Sequence, residues 1–249
     1  YLEHLDVVVR CFRLLPIEIK VVVNMGACKA RALDVSHVGT TNFISIQKRP
    51  IRDWNVFLKS VEDYLLATIA LIVFLPAMAV IAALIKLDSP GPVLFRQRRH
   101  GCNHKTIQVM KFRTMTVLED GANIVQATKG DARITRVGRI LRKTSLDELP
   151  QLFNVLAGDM SLVGPRPHAL THNDYYSQML EDYACRHRVK PGITGWAQVN
   201  GLRGETTDPK LMERRVQYDL EYIENWSILF DLKVLLLTPI YGFYSSKAH

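Results

Sequence analysis

From Leu65 to Ile85 the chain reads LLATIALIVFLPAMAVIAALI, an apolar run with no charged residue in it. About 20 apolar residues suffice to cross the hydrocarbon core, so the run predicts a membrane helix. A buried core helix is the competing reading, and a run this long and uniform is unusual for one. Pro76 stands at the centre. Proline removes a helical N–H donor and its ring crowds the preceding turn, so the segment is expected to kink or break there. Each half would then be about 16 Å long, roughly half the hydrocarbon thickness. Lys48, Arg49, Arg52 and Lys59 precede the run, and Lys86, Arg96, Arg98 and Arg99 follow it. Basic flanks on both sides predict that both ends stay in the cytoplasm. A re-entrant helix–break–helix over about 62–87 is therefore favoured over a kinked span.

Elsewhere the pattern is shorter in range. Leu5–Leu15, Ile17–Asn24 and Phe43–Ile46 carry β-branched runs, and Val21-Val22-Val23, bounded by Asn24 and Gly26, reads as a buried strand. Residues 1–54 read as the C-terminal part of an upstream α/β module and a linker, residues 55–249 as the main domain. No GxGxxG precedes a helix in the first part, so nothing there points to dinucleotide binding. With neither a start Met nor a signal peptide, the chain is expected to begin inside a longer protein.

After the turn cluster Ser89-Pro90-Gly91-Pro92, Val93–Arg98 and Thr106–Arg113 read as strands joined by the loop His100–Lys105. Helical patterns follow at Arg136–Arg142, Pro150–Leu156, Asn173–Arg188 and Lys210–Glu224. The last carries Met212, Val216, Leu220 and Ile223 at helical spacing, a stripe for core or membrane-surface packing. Trp226–Tyr244 mixes aliphatic residues with Trp226, Phe230, Tyr241, Phe243 and Tyr244, which suits either a headgroup-level helix or a core helix. The class is α+β, mostly helical, with one small β-hairpin.

Charge narrows the partners. The formal net charge is +8 and the pI about 9.4, which favours an anionic partner. Between Arg96 and Lys143 the basic residues far outnumber the acids Glu119, Asp120 and Asp131. Arg133, Arg136, Arg139 and Arg142 recur every third residue, so several can share one helix face. That face suits solvent or lipid as well as a pyrophosphate. Cys11, Cys28, Cys102 and Cys185 lie far apart without CxxC spacing, as expected of free thiols rather than of zinc ligands or a redox pair.

Candidate chemistry begins at Thr144-Ser145-Leu146-Asp147-Glu148-Leu149-Pro150. Ser145 and Glu148 have capping-box spacing and Pro150 suits a first helical turn, so a helix N-terminus is expected here, with free N–H groups that attract phosphate. Asp147 and Glu148 are an adjacent acidic pair beside the basic region. Neighbours on a helix diverge by about 100°, so the two carboxylates would point differently. One is placed to address phosphorus and the other to assist a metal or a proton; alternatively both simply stabilise the helix start. Gly158-Asp159-Met160-Ser161-Leu162-Val163-Gly164-Pro165-Arg166-Pro167 follows. Prolines on both sides preset the backbone of Arg166, and a fixed guanidinium suits bidentate contact with phosphate or carboxylate. Lys190-Pro191-Gly192-Ile193-Thr194-Gly195-Trp196, running on to Gln198, Asn200 and Gly201, is a further loop, either a site wall or structural.

The strings FRQRRHG, MKFRTM, LRKTSLDELPQLFNVLAGDMSLVGPRP and RVKPGITGWAQVNGLRGET occur in this order. Together they resemble the bacterial sugar transferases, the polyisoprenyl-phosphate hexose-1-phosphate transferases, and most of all those that prime exopolysaccharide synthesis with glucose. The resemblance runs from about Lys59 to the C-terminus. It implies a monotopic catalytic domain at the cytoplasmic face of the bacterial inner membrane, with a re-entrant helix broken at Pro76, preceded by the tail of a Rossmann-like module. Related chains often have Ser-Pro at the break; here it is Leu75-Pro76, so only the proline contributes.

By the same resemblance, Asp147 is the nucleophile, Glu148 completes the dyad, and both serve as ligands to the Mg²⁺ cofactor. The partners implied are a UDP-sugar, undecaprenyl phosphate and membrane lipid, with UMP released through an aspartyl sugar-phosphate. Lys111, Arg113, Arg133, Arg142, Asp159, Pro165, Arg166 and Pro167 are the candidates for binding the phosphates or nucleotide. Galactose or an N-acetylhexosamine could replace glucose, and association of the chain with itself is left open.

A nucleic-acid-binding module would also be basic, but Phe112 is the only aromatic between Arg96 and Lys143, so bases would lack stacking platforms. No nucleic acid partner is expected. A non-catalytic membrane scaffold would explain the apolar run but has no need of the acidic pair.

Overall fold

In the computed structural model the described residues are 19–22, 35–38, 41–47, 51, 53–116, 131–168, 170–180, 182–204 and 209–244. The run Leu5–Leu15 and the flanking Lys48, Arg49 and Arg52 lie outside them.

Strands β1 (Ile19–Val22), β2 (Val35–Val38) and β3 (Thr41–Gln47) form an antiparallel sheet in the order β1-β3-β2. The strands expected at Val21-Val22 and Phe43–Ile46 are thus present. Neither pair is parallel, so these strands contain no crossover of the kind on which a Rossmann-like module is built.

Helix α1 (Asp53–Asp88) has 36 residues, about 54 Å at the helical rise. It contains the whole apolar run and continues through Pro76 without interruption. The expected break is therefore reduced to one missing N–H donor inside a single helix. The helix is long and apolar enough to cross a membrane, and only 17% of its apolar window is buried. A soluble core helix would be mostly covered, so the core-helix reading fails. Leu65, Ile69, Ile72, Val73, Leu75 and Val80 are exposed, Ile72 by 68%.

Both ends of α1 are fastened to the same folded body. Near its start, Lys59 Nζ meets Asp63 Oδ1 at 3.1 Å and Asp231 Oδ2 at 2.6 Å, all three buried. Asp63 Oδ1 also accepts from Ser161 Oγ and Leu162 N, each at 3.0 Å. Beyond its end, buried Arg113 donates to the carbonyls of Ser89 (2.6 Å) and Pro90 (2.7 Å), and Asp88 Oδ2 accepts from Val137 N at 3.0 Å. Ala67 belongs to one core cluster, Met78, Ile81 and Ile85 to another, and Leu71 packs against both.

The hairpin pairs β4 (Leu94–His100) with β5 (Thr106–Phe112), antiparallel and in register from Leu94↔Phe112 to His100↔Thr106. Helix α2 (Arg136–Thr144) is capped by Thr135, whose hydroxyl accepts from Gly138 N at 3.0 Å. A 3₁₀ turn (Leu146–Glu148) and the short α3 (Gln151–Leu156) follow. Then come β6 (Ser161–Val163), α4 (Leu170–Met179), a 3₁₀ segment (Tyr183–Arg188), β7 (Gly192–Thr194), α5 (Trp196–Val199), α6 (Pro209–Glu224) and α7 (Ile228–Tyr244). The helix expected over Asn173–Arg188 is therefore two shorter pieces.

Strands β6 and β7 pair in parallel. They approach so closely at Gly164 and Gly192 that a Cβ on Gly192 would lie 2.1 Å from Gly164 N. The stripe on α6 is core packing: Met212, Val216 and Ile223 are all buried. The aromatics of Trp226–Tyr244 divide between the two readings: Trp226 and Phe230 turn toward the core and Tyr241 is exposed. Phe230 packs edge-on to Trp196 (5.0 Å) and Tyr222 (5.6 Å), and Trp226 Nε1 donates to Asp231 at 2.9 Å. Their polar or ring partners lie inside, while Leu229, Leu232, Leu236, Ile240 and Tyr241 face outward.

Candidate active site

Lys111 on β5, the Leu146–Glu148 turn, the loop after β6 and the loop after α5 converge on Glu148. Lys111 Nζ lies 2.8 Å from its Oε1. Arg166 grips it with Nη2 to Oε1 at 2.6 Å and Nη1 to Oε2 at 3.1 Å. Arg203 Nη2 stands 3.8 Å from Oε2. Burial alone would raise the Glu148 carboxyl, but the charges of Arg166 and Lys111 outweigh it and hold the group well below the usual carboxylate range.

Asp147 is treated differently. Among the described residues its carboxylate accepts no hydrogen bond, and its nearest cation is Lys111, 3.9 Å from Oδ2. Burial raises its carboxyl above the ordinary value, Lys111 pulls the other way, and the neighbouring Glu148 charge adds to the rise. One lysine reaches both adjacent carboxylates, Lys111 Nζ lying 2.8 Å from Glu148 and 3.9 Å from Asp147.

The expected capping box is not formed. Ser145 takes a left-handed conformation (φ 60°) and its hydroxyl makes no cap hydrogen bond; it accepts instead from Arg203. Glu148 is turned to the basic groups rather than back to the Ser145 backbone. The helix that follows directly is the six-residue α3, so positive potential at the site comes from side chains rather than from a helix N-terminus.

Arg166 is held from behind. Its carbonyl accepts from Arg186 Nη2 at 2.9 Å, and Arg186 Nε pairs with buried Asp219 at 2.7 Å. Arg99 Nη1 donates to the carbonyl of Pro167 at 2.6 Å, and Gly192 N to that of Pro165 at 3.0 Å. His168 stands behind the loop, Nδ1 at 2.7 Å from the Tyr183 hydroxyl and Nε2 at 3.2 Å from Arg215 Nη1. Burial, reinforced by Arg186 and Arg215, holds its pKa well below the ordinary histidine value, so the ring is neutral. The Tyr183 hydroxyl donates to Asn173 Oδ1 at 2.6 Å.

Of the sequence candidates, Lys111, Arg166 and the dyad are brought together, with Pro165 and Pro167 framing Arg166. Arg142 is near enough for its charge to lower the Asp147 carboxyl. Arg136 and Arg139 are exposed, so the shared arginine face does not reach the dyad as a unit. Arg113 is buried at the end of α1, where four oxygens of Ile85, Ser89 and Pro90 take up its fork. Arg133 is paired with Asp131 at 2.7 Å. Asp159, in the turn after α3, makes no hydrogen bond or ion pair to the dyad among the described residues. Arg203, Arg99 and Arg186 were missed; Arg203 and Arg99 lay in quoted strings, but nothing in spacing told them apart from the other arginines.

For Mg²⁺ the fit rests on Asp147, whose hard oxygens carry no hydrogen bond, because those of Glu148 are already taken. Mg²⁺ commonly binds through one or two carboxylates together with substrate phosphates. No group of three or more His, Cys, Asp or Glu side chains converges among the described residues.

A family model described as bacterial sugar transferase matches residues 54–244. The chain is 52% identical over 206 residues to the UDP-glucose:undecaprenyl-phosphate glucose-1-phosphate transferase of Escherichia coli (strain K12), covering 83% of this chain and 44% of that protein. It is 46% identical over 241 residues to the Xanthomonas campestris pv. campestris protein of the same name, covering 96% and 50%. It is 40% identical over 205 residues to the UDP-N-acetylgalactosamine-undecaprenyl-phosphate N-acetylgalactosaminephosphotransferase of Aeromonas hydrophila, covering 82% and 47%. The chain thus spans about half the length of these curated relatives.

Proposed function

The chain belongs to the bacterial sugar transferase family, and from that premise we propose that it moves hexose-1-phosphate, glucose-1-phosphate in particular, from a UDP-sugar to undecaprenyl phosphate. The reaction would be the first membrane step of exopolysaccharide synthesis. The observation that carries the reading is the unequal treatment of two adjacent carboxylates: Glu148 is neutralised by Arg166 and Lys111, while Asp147 is left without a hydrogen bond. A carboxylate without hydrogen bonds keeps its lone pairs for attack.

In this reading an Asp147 oxygen attacks the β-phosphorus of the UDP-sugar and the bond to the α-phosphate oxygen breaks. UMP leaves, and the sugar phosphate remains on Asp147. A phosphate oxygen of the acceptor then attacks the same phosphorus and frees the carboxylate. Lys111 and Arg142 offset charge on the pyrophosphate, and Arg166 holds Glu148 in place beside it. Asp147, with Glu148 next to it, would hold Mg²⁺ against the pyrophosphate, where the ion supplies further charge neutralisation.

The two fastened ends of α1 favour a monotopic arrangement on the cytoplasmic face of the inner membrane, where UDP-sugars are, with the missing donor at Pro76 as the point at which the helix would bend back in the bilayer. The test supplies UDP-glucose, UDP-galactose and UDP-N-acetylglucosamine in turn, with undecaprenyl phosphate and Mg²⁺, and measures UMP. Fastest release from UDP-glucose is expected, and release from none of them overturns the reading. The relative named for N-acetylgalactosamine favours an N-acetylhexosamine as the second reading.

A further inference from the structure

Beside the dyad lies a cavity of about 340 Å³, at the lower end of the range for small-molecule sites. Its walls come from opposite ends of the domain. Ala70 and Phe74 belong to α1, Thr238, Pro239 and Tyr241 to α7, and Leu149 and Leu152 to the segment after the dyad. The outer faces of α1 and α7 expose Ile72, Val73, Leu236 and Ile240, so the apolar lining adjoins the surfaces turned away from the core. At the polar side Ser145, Glu148 and Arg203 also line it.

Gln198 lines the cavity too, is only 9% exposed, and its Oε1 is buried without a partner among the described residues. Its amide orientation is set by Nε2, which donates to the carbonyl of Ile193 at 3.5 Å. A flip would place oxygen against oxygen. A buried amide oxygen with no donor costs free energy, so a ligand that supplies one is favoured there.

Building on the proposed reaction, we propose that this cavity binds the first isoprene units of the polyprenyl phosphate acceptor, with Arg203 and Gln198 at its phosphate. Three features select this occupant. A nucleotide sugar offers only the face of its uracil ring to bury against Phe74, Leu149 and Leu152, the rest being phosphate and hydroxyls. A branched hydrocarbon chain is apolar and arrives from the lipid side, where α1 and α7 stand. A phosphate monoester has a second pKa of about 6 and so carries a P–OH part of the time, the donor that Gln198 Oε1 lacks. The phosphodiesters of bilayer lipids carry no P–OH, and their headgroup donors sit beyond the phosphate rather than on it. Arg203 supplies the charge-assisted contact, and it already turns toward the dyad through Glu148, 3.8 Å away.

The test is photo-crosslinking of the full chain with a diazirine-bearing C15 prenyl phosphate, followed by kinetics of Ala70→Phe, which fills the cavity from α1. Label is expected on peptides carrying Phe74 and Tyr241, displaced by undecaprenyl phosphate and not by phosphatidylglycerol. Label confined to the outer face of α1, or displaced equally by phosphatidylglycerol, overturns the proposal. Ala70→Phe is expected to raise the KM for undecaprenyl phosphate about tenfold, roughly 1.4 kcal/mol, with a far smaller change in the KM for the UDP-sugar. An unchanged acceptor KM in a folded Ala70→Phe protein also overturns it. The crosslink needs no turnover, so it still reports on the cavity if the proposed sugar transfer fails.

Discussion

Arg166 closes on Glu148 with two parallel hydrogen bonds, at 2.6 and 3.1 Å, and leaves Asp147 alone. One residue of the dyad is thereby fixed as a buried ion-pair partner and the other kept open. The two positions, adjacent in sequence, are expected to differ on substitution in their effect on stability.

Asp147→Asn keeps the shape and removes the attacking oxygen. UMP release is expected to fall by a factor of about 10³ or more, as on loss of a nucleophile. Stability should hold or rise at neutral pH. The folded carboxyl titrates above its ordinary value, so ionising it costs stability as pH rises through that range, and asparagine removes the cost. Near-normal turnover by a folded variant would remove Asp147 from the chemistry.

Glu148→Gln leaves Arg166 and Lys111 without their carboxylate. Breaking a buried pair costs about 3–5 kcal/mol, so the melting temperature should drop clearly and turnover with it. The pH sign is fixed by the lowered carboxyl. Its contribution is complete above the unfolded value and is lost as pH falls through the lower folded one. Acid titrations of wild type and Glu148→Gln should therefore converge at low pH; parallel curves would contradict the pairing.

Arg166→Lys keeps the charge and loses the planar fork. With a charge-assisted hydrogen bond worth about 1.5–3 kcal/mol, kcat/KM should drop roughly 10- to 100-fold. Wild-type kinetics would mean that the fork is not needed.

Gly164→Ala tests the floor under Arg166. The new Cβ would meet the carbonyl oxygen of Lys190 at 2.6 Å, backbone that cannot step aside freely. A loss of about 1–3 kcal/mol is expected, together with reduced turnover because the loop shifts. A wild-type melting temperature would show that β6 and β7 separate easily.

The fastened ends of α1 predict topology. With the four native cysteines replaced, single cysteines at Ser60 and Ser89 should react only from the cytoplasmic side of intact membranes. Labelling from opposite sides would mean that α1 crosses the bilayer, and the re-entrant reading would fall.

Composition and order along the chain were enough for several conclusions. The long apolar helix was legible because 21 uncharged residues in a row leave few alternatives. The hairpin followed from two β-rich runs around a polar loop, and the acidic pair Asp147-Glu148 stood out within the ordered motifs. Those signals are local, and local periodicity survives whatever the rest of the chain does. The roles of the arginines did not. Arg113, Arg166 and Arg203 look alike in sequence, yet one closes the turn after α1, one clamps Glu148 and one lies between the dyad and an apolar cavity. Their partners come from segments 18 to 58 residues away or more, and only packing brings such segments together. The same holds for Trp226 and Phe230, turned inward because Asp231 and Trp196 wait there. Residue types set what each side chain is able to do; the tertiary structure decided which of those capacities is used, because a guanidinium or a ring takes its role from the groups that surround it.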